Sequence, residues 1–367
     1  MSYRYTGEKM MNLGAIDIGT NSCRLLISRV QINPQRRSHL RIYNAPIQWK
    51  SIDSLCRIVK LGENLTKTGR LDPQSIQRTI EALQLCYKKI CYYRVSHLKV
   101  VATEACRKAI NAHDLQAAVQ QKCNMSIDII SGTQEAEYAL LGCSELLNWR
   151  KSYALVFDIG VGSTEVIWVK INPEFKHNYL LNDFYEIIDS ISLPYGVVTV
   201  NDTLEGYTSK ENIFEHVYQK VYKDMKAFAF RNNMHEIYNN TEGGIQMLGS
   251  SGTVTAFATL FLGLETYDRR KIDGLKVPTA TIKDICSQLS NYNEDHLIKL
   301  NIDKKNDLMN VGAGILKGIL DALPGEELTV ADRGVREGII IDLIRKNIVP
   351  HFEQKIDATI PLSTAHG

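Results

Sequence analysis

Ala154-Leu155-Val156-Phe157-Asp158-Ile159-Gly160-Val161-Gly162-Ser163-Thr164-Glu165-Val166-Ile167-Trp168-Val169 places four apolar residues before an aspartate, then a turn rich in Gly, Ser and Thr, then a second apolar run. A short buried strand that ends on a carboxylate and enters such a turn suits a phosphate and its cation. Gly160 and Gly162 let backbone N–H groups approach an anion, Ser163 and Thr164 add hydroxyls, and Asp158 with Glu165 can hold a hard cation directly or through water. An echo stands upstream: Leu13-Gly14-Ala15-Ile16-Asp17-Ile18-Gly19-Thr20-Asn21-Ser22, followed by Leu25-Leu26-Ile27. Two such turns facing each other would clamp a phosphate between two related domains. The common phosphate loops do not fit. No Lys follows the glycines, as a P-loop requires, and Glu165 stands where a dinucleotide-binding turn needs its third glycine. A Gly-rich hairpin alone is as readily a structural turn; its recurrence behind a second Asp points to a ligand.

Composition sets wide bounds. The 367 residues are 44% hydrophobic and 23% charged with a net charge of +2, which fits two ordinary globular domains and makes any anion site a matter of local placement. Eight cysteines include no Cys-x-x-Cys pair, so reduced thiols in a cytoplasmic protein are expected, and no zinc site. Residues 1–11 are polar and too short for a signal peptide, and no apolar run nears the ~20 residues of a membrane span. No membrane partner is therefore expected. Arg269-Arg270-Lys271 and Lys304-Lys305 read as solvated faces that could steer a polyanion. Without aromatic interleaving they mark no specific nucleic-acid groove.

Along the chain, strands are predicted at 13–18, 23–30, 40–47 and 57–60, then a helix capped by Asp72 with Pro73 at its first position. Its apolar stripe is Ile76, Ile80, Leu83, Tyr87 and Ile90. A strand at 98–103, a helix near Leu115 and a strand at 127–130 complete a mixed sheet with helices packed on it. The second half repeats the order, with strands at 153–157, 165–171 and 185–193, an amphipathic helix over 210–231 and a strand at 245–248. A helix opens after Gly252, where its N-terminus could bind a phosphate or a nucleoside edge or simply turn the chain. A helical stripe from Val311 to Leu320, a strand at 328–330 and a last helix over 335–344 follow. Residues 172–182 and 238–244 read as surface loops.

With these pieces in place the chain resembles the exopolyphosphatase/guanosine pentaphosphate phosphohydrolase (Ppx/GppA) family of the actin, sugar-kinase and heat-shock ATPase superfamily. Beyond the two Asp turns the resemblance rests on Ala102-Thr103-Glu104-Ala105-Cys106-Arg107, Ile130-Ser131-Gly132-Thr133-Gln134-Glu135-Ala136, Ser192-Leu193-Pro194-Tyr195-Gly196, Gly249-Ser250-Ser251-Gly252-Thr253 and the segment from Ala331 to Gly338. It implies an α/β fold of two ribonuclease-H-like domains around an interdomain cleft, each a mixed five-stranded sheet with helices on its faces. The boundaries would be 1–136, 137–347 with the last helix returning toward the first domain, and a C-terminal tail over 348–367. The implied activity is Mg²⁺-dependent release of a terminal phosphate from polyphosphate or guanosine pentaphosphate. Glu135 matches the general base and Asp158 and Glu165 the metal ligands. Asp17, Gly19, Asn21, Ser22, Arg107, Gly160, Gly162, Ser163, Thr164 and Gly252 match positions around the phosphates. Whether the chain forms a homodimer is left open.

Each assignment has a plainer rival. Glu135 could be an acid favoured by a helix N-terminus, and Arg107 could pair with a surface acid. Glu137 lies two residues on, hence on another helix face. His113-Asp114 lacks the further ligands a metal phosphohydrolase needs. Val161 stands where the family usually has a glycine, and Thr133-Gln134 replace residues that are commonly acidic. A sensor that has lost turnover, or a superfamily kinase binding ATP near Gly249-Thr253, are the competing functions. Retention of Glu135, Asp158 and Glu165 favours the hydrolase.

Overall fold

The computed structural model describes residues 9–32, 47–172, 185–198, 210–241, 244–289 and 308–350. Its first sheet joins β1 (Lys9–Ile18), β2 (Ser22–Ile32), β3 (Ile47–Ile58), β4 (His97–Ala102) and β5 (Asp128–Ile129) in the order β3-β2-β1-β4-β5. β2 runs antiparallel to both β1 and β3, while β4 lies parallel to β1 and β5 to β4. The second sheet repeats this with β6 (Tyr153–Ile159), β7 (Thr164–Ile171), β8 (Tyr185–Leu193), β9 (Ile245–Ser250) and β11 (Glu327–Ala331). A sixth strand, β10 (Lys276–Pro278), pairs antiparallel with the edge of β11. The duplication seen in the two Asp turns therefore extends to both sheets.

One strand differs from expectation. The third strand runs over Ile47–Ile58, through residues 48–56 where no strand is predicted, and stops before Val59. Most of its residues are exposed or half-buried, so backbone pairing with β2 holds it and its side chains carry no continuous apolar signal. Of the remaining calls, residues 40–46, 173–182, 242–243, Lys304-Lys305 and 351–367 of the tail lie outside the described residues. Tyr238 belongs to the helix Met234–Asn240 instead of a loop.

The helix Pro73–Tyr92 forms as its cap predicts: the Asp72 side chain accepts from the Gln74 N–H at 2.8 Å, and Ile80, Leu83, Cys86 and Ile90 are buried against the first sheet. The second sheet buries Phe157, Trp168, Phe257 and Met247 with the helices Lys210–Arg231 and Leu308–Ala322. Two further helices tie the halves together. Gly132–Cys143 follows the first sheet yet buries Ala136, Leu140 and Cys143 with Ala154, Val156 and Ile167 of the second. Val335–Asn347 follows the second and packs Ile339, Ile340 and Ile344 against Leu13, Ala15 and Val101 of the first. They cross backbone to backbone, since a Cβ on Gly142 would lie 2.1 Å from the Gly334 carbonyl oxygen, and one on Gly338 would collide with that of Tyr138. The sequence boundary at 136/137 falls inside the first of these helices. No helix among the described residues is long and apolar enough to cross a membrane.

Candidate active site

The two turns share one backbone geometry. Gly19 N–H donates to the Ser22 carbonyl at 3.0 Å, and Gly160 N–H to the Ser163 carbonyl at 2.9 Å. Register aligns them residue by residue: Asp17 stands opposite Arg24 as Asp158 stands opposite Glu165, and directly opposed residues of an antiparallel pair share a face. Thr20 and Val161 thus occupy the same place. The turns also touch. A Cβ on Gly162 would lie 2.7 Å from Thr20 Oγ1 and 2.9 Å from Glu104 Cγ, and one on Gly160 would lie 2.8 Å from the Ser163 carbonyl oxygen. None of Gly19, Gly160, Val161 or Gly162 has a left-handed φ, so Gly160 and Gly162 serve close approach. Val161 therefore carries no strain from a positive φ; only its side-chain bulk distinguishes it from glycine.

Four carboxylates gather around this contact. Glu135 sits in the first turn of the helix Gly132–Cys143, whose N-terminus is secured by a reciprocal Ser131/Gln134 capping box. Its Oε2 accepts from Arg107 Nη1 at 2.6 Å, and Arg107 also donates through Nη1 to the Ile130 carbonyl at 3.1 Å and through Nη2 to Glu104 Oε2 at 2.9 Å. Burial pushes the Glu135 carboxyl well above its usual range, and the charge of Glu165 adds to this against the pull of Arg107. Glu165 is itself pushed up to about 7 by burial, with Asp158 adding and the Ser163 and Ser192 hydroxyls opposing. Those hydroxyls both donate to Glu165 Oε1, at 2.6 and 3.0 Å, so Oε2 is left for a cation or water. Asp17 and Asp158 are raised by burial, opposed in both cases by Arg24. Asp17 Oδ1 is buried without a hydrogen-bond partner.

The profile of the Ppx/GppA phosphatase family matches residues 45–347. The chain belongs to this family. It is 28% identical over 338 residues to a bifunctional 3-dehydroquinate synthase/phosphatase of Fusobacterium nucleatum, covering 89% of this chain but only 46% of that protein. To exopolyphosphatase 2 of Mycobacterium tuberculosis it is 23% identical over 345 residues, spanning 91% of this chain and 99% of the relative. The crystal structure of the Aquifex aeolicus family member superposes with a TM-score of 0.71 at 26% identity, covering 92% and 99% of the two chains.

Against this family frame, the site residues sort by what each side chain touches. Arg107 donates to two carboxylates and a carbonyl, which is the geometry of a group that orients Glu135. The Thr164 hydroxyl donates to the Tyr195 carbonyl at 2.6 Å and closes the second turn onto the Tyr195-Gly196 segment. The Ser22 hydroxyl accepts from Arg24 Nε at 3.0 Å, while the Asn21 carbonyl accepts from the N–H groups of Val59 and Lys60. Gly252 opens a helix with free space around its Cα, and the cap before it, Ser251, holds φ at 108°. A non-glycine there stores on the order of 1–3 kcal/mol and is typical of functional turns. Arg24, Glu104, Ser192 and Ser251 escaped the sequence reading. Glu104, Ser192 and Ser251 stood inside the quoted motifs with no role assigned to them, and Arg24 carried no local sign.

Asp158 and Glu165 fit a divalent cation: they are paired across β6 and β7, offer hard oxygens, and stand near the unpartnered Asp17 oxygen. Among the described residues no three His, Cys, Asp or Glu side chains converge to enclose a metal. Mg²⁺ asks for no such cage, because one or two carboxylates suffice when water and substrate phosphates supply the rest.

Proposed function

We propose that this protein is a phosphoanhydride hydrolase that removes the terminal phosphate of inorganic polyphosphate, or of the 5′ end of guanosine pentaphosphate, with Mg²⁺ held by Asp158 and Glu165. The observation that carries this is Glu135: a buried carboxyl with a raised proton affinity, aimed by Arg107 and set beside the two phosphate-type turns. In the reaction water attacks the terminal phosphorus, the bridging oxygen leaves with the shortened chain, and Glu135 accepts the proton that the water gives up. Backbone N–H groups of the turns and the Ser163 hydroxyl are the donors available to the equatorial oxygens. Mg²⁺, when bound, would offset the charge on those oxygens and on the leaving group. A cytoplasmic setting agrees with eight free thiols.

Phosphate release should be measured with Mg²⁺ on polyphosphate, guanosine pentaphosphate and ATP side by side. Glu135→Gln is expected to lower turnover by roughly 10²–10⁴-fold, the usual worth of a general base, with binding retained. Glu137→Gln is the control, since Glu137 is exposed one step round the helix. Equal losses at both positions, or none at Glu135, would show the base to be misplaced.

A further inference from the structure

We infer that Glu104 is a positioning residue that sets the catalytic carboxylate of Glu135 by fixing the fork of Arg107, and that it ties this setting to the second phosphate turn. The inference rests on the hydrolase reading of the site. Arg107 has one guanidinium edge to divide. Nη1 serves Glu135 at 2.6 Å and the Ile130 carbonyl at 3.1 Å, and Nη2 serves Glu104 Oε2 at 2.9 Å. A planar guanidinium held at both ends cannot rotate about its long axis without breaking one contact, so Glu104 decides where Nη1 points. Glu104 is itself held: its other oxygen accepts from Lys108 Nζ at 2.5 Å, and its side chain is only 14% exposed. Its stem lies against Gly162, where an added Cβ would come within 2.9 Å of Cγ. One side chain thus contacts both the group that aims the base and the turn that carries Ser163 and Glu165. An ordinary surface ion pair between Glu104 and Arg107 is the bland alternative. The low exposure of both partners, 14% and 18%, and the shared guanidinium distinguish this pair from the exposed pairs that contribute little.

The consequence is specific. Losing the Glu104 oxygen should misplace Glu135 without touching substrate, so kcat falls while KM holds. Glu104→Ala is expected to lower kcat on the order of 10²-fold, the cost of about 1 Å of misplacement. Glu104→Asp keeps the charge but withdraws the oxygens by one methylene, and should lose kcat as well. Glu104→Gln keeps an acceptor oxygen for Nη2 and should restore most of it. Lys108→Ala, which removes only the far partner, should leave kcat near wild type. Crystal structures of the Ala and Asp variants should show Arg107 swung away from Glu135. An intact Arg107–Glu135 pair in both, or equal kcat losses in the Ala and Gln variants, would overturn the inference while leaving the hydrolase reading untouched. A wild type inert toward every phosphoanhydride would sink that reading instead, and the variant structures would still decide whether Glu104 sets the Arg107–Glu135 pair.

Discussion

The β1–β2 turn and the β6–β7 turn are copies of one backbone motif that have been given opposite electrostatics. Each begins with an aspartate and closes with the same glycine-to-serine hydrogen bond. Opposite Asp17, however, stands a guanidinium, whereas opposite Asp158 stands a second carboxylate. Glu165 is buried beside Asp158, whose charge adds to the rise in its proton affinity and invites a cation; Arg24 opposes the rise at both aspartates but stands directly opposite Asp17. The packing diverges too. A Cβ on Gly160 would meet the Ser163 carbonyl oxygen at 2.8 Å, but one on Gly19 would meet that of Ser22 at an ordinary 3.6 Å. Identical hydrogen bonds therefore do not make the turns equivalent. The second is the tighter of the two and the one equipped for metal.

That asymmetry can be broken by matched substitutions. Under the proposed mechanism Asp158→Asn should raise the Mg²⁺ concentration for half-maximal rate by at least the roughly 10-fold that follows loss of even an outer metal partner. Asp17→Asn, which alters only a neighbouring oxygen, should raise it by a smaller factor. Equal shifts in a metal titration would erase the distinction, and full activity in excess chelator would remove the metal from the mechanism.

Packing gives the next largest effect. Gly162→Ala and Gly160→Ala should each cost about 1–3 kcal/mol in denaturant unfolding, because the new methyl meets Thr20 and Glu104 in one case and backbone in the other. Gly19→Ala should fall within about 0.5 kcal/mol of wild type. Because the turns already touch through Gly162 and Thr20, a polyphosphate analogue should compact the protein little in solution scattering. A marked drop in radius would mean that the free protein opens wider than this arrangement.

Smaller still is a pH effect from Glu165 of the second turn. Glu165 has an ordinary value of 4.5 and is raised to about 7 in the fold, so between these values the native state holds a proton that the unfolded chain has released. This contribution is present below about 4.5 and is lost as pH rises through about 7. The metal-free Tm should therefore decline across that window more steeply in wild type than in Glu165→Gln, and added Mg²⁺ should recover it at the upper end. Parallel curves would place the proton elsewhere. The smallest effect is expected at Val161, the counterpart of Thr20. With no positive φ to relieve, Val161→Gly is expected to give at most a modest gain in kcat/KM and to lose some stability through backbone freedom. A gain as large as the loss at Glu135 would restore strain or bulk at Val161 as the main restraint on the enzyme.

Local chemistry was enough to read the repeated Asp turns, the Asp72 cap and the alternation of strand and helix, because each is written in neighbouring residues; Glu135 became a candidate base only through the resemblance to the family. The edges were harder. β3 runs as one strand, held by hydrogen bonds that any residue supplies, and β10 is three residues long with a proline at its end. Neither carries an apolar period for a sequence to display.

Other features depend on groups far apart in the chain. The resemblance implies that Arg107 stands near the phosphates; its partner Glu104 is three residues away on one helix, but the contact with Glu135 became visible only when the Gly132–Cys143 helix was in place. Likewise the glycines of the second turn read as room for backbone N–H groups to approach an anion, while the fold also uses Gly162 for contact with Thr20 and Glu104. Sequence alone determined which residue types were available and where each strand delivered its carboxylate, since backbone hydrogen bonding and hydrophobic burial act over a few residues. Which carboxylate faces an arginine, which faces another acid, and what aims Glu135 were decided by tertiary structure, because electrostatics and close packing depend on distances through space that no local pattern encodes.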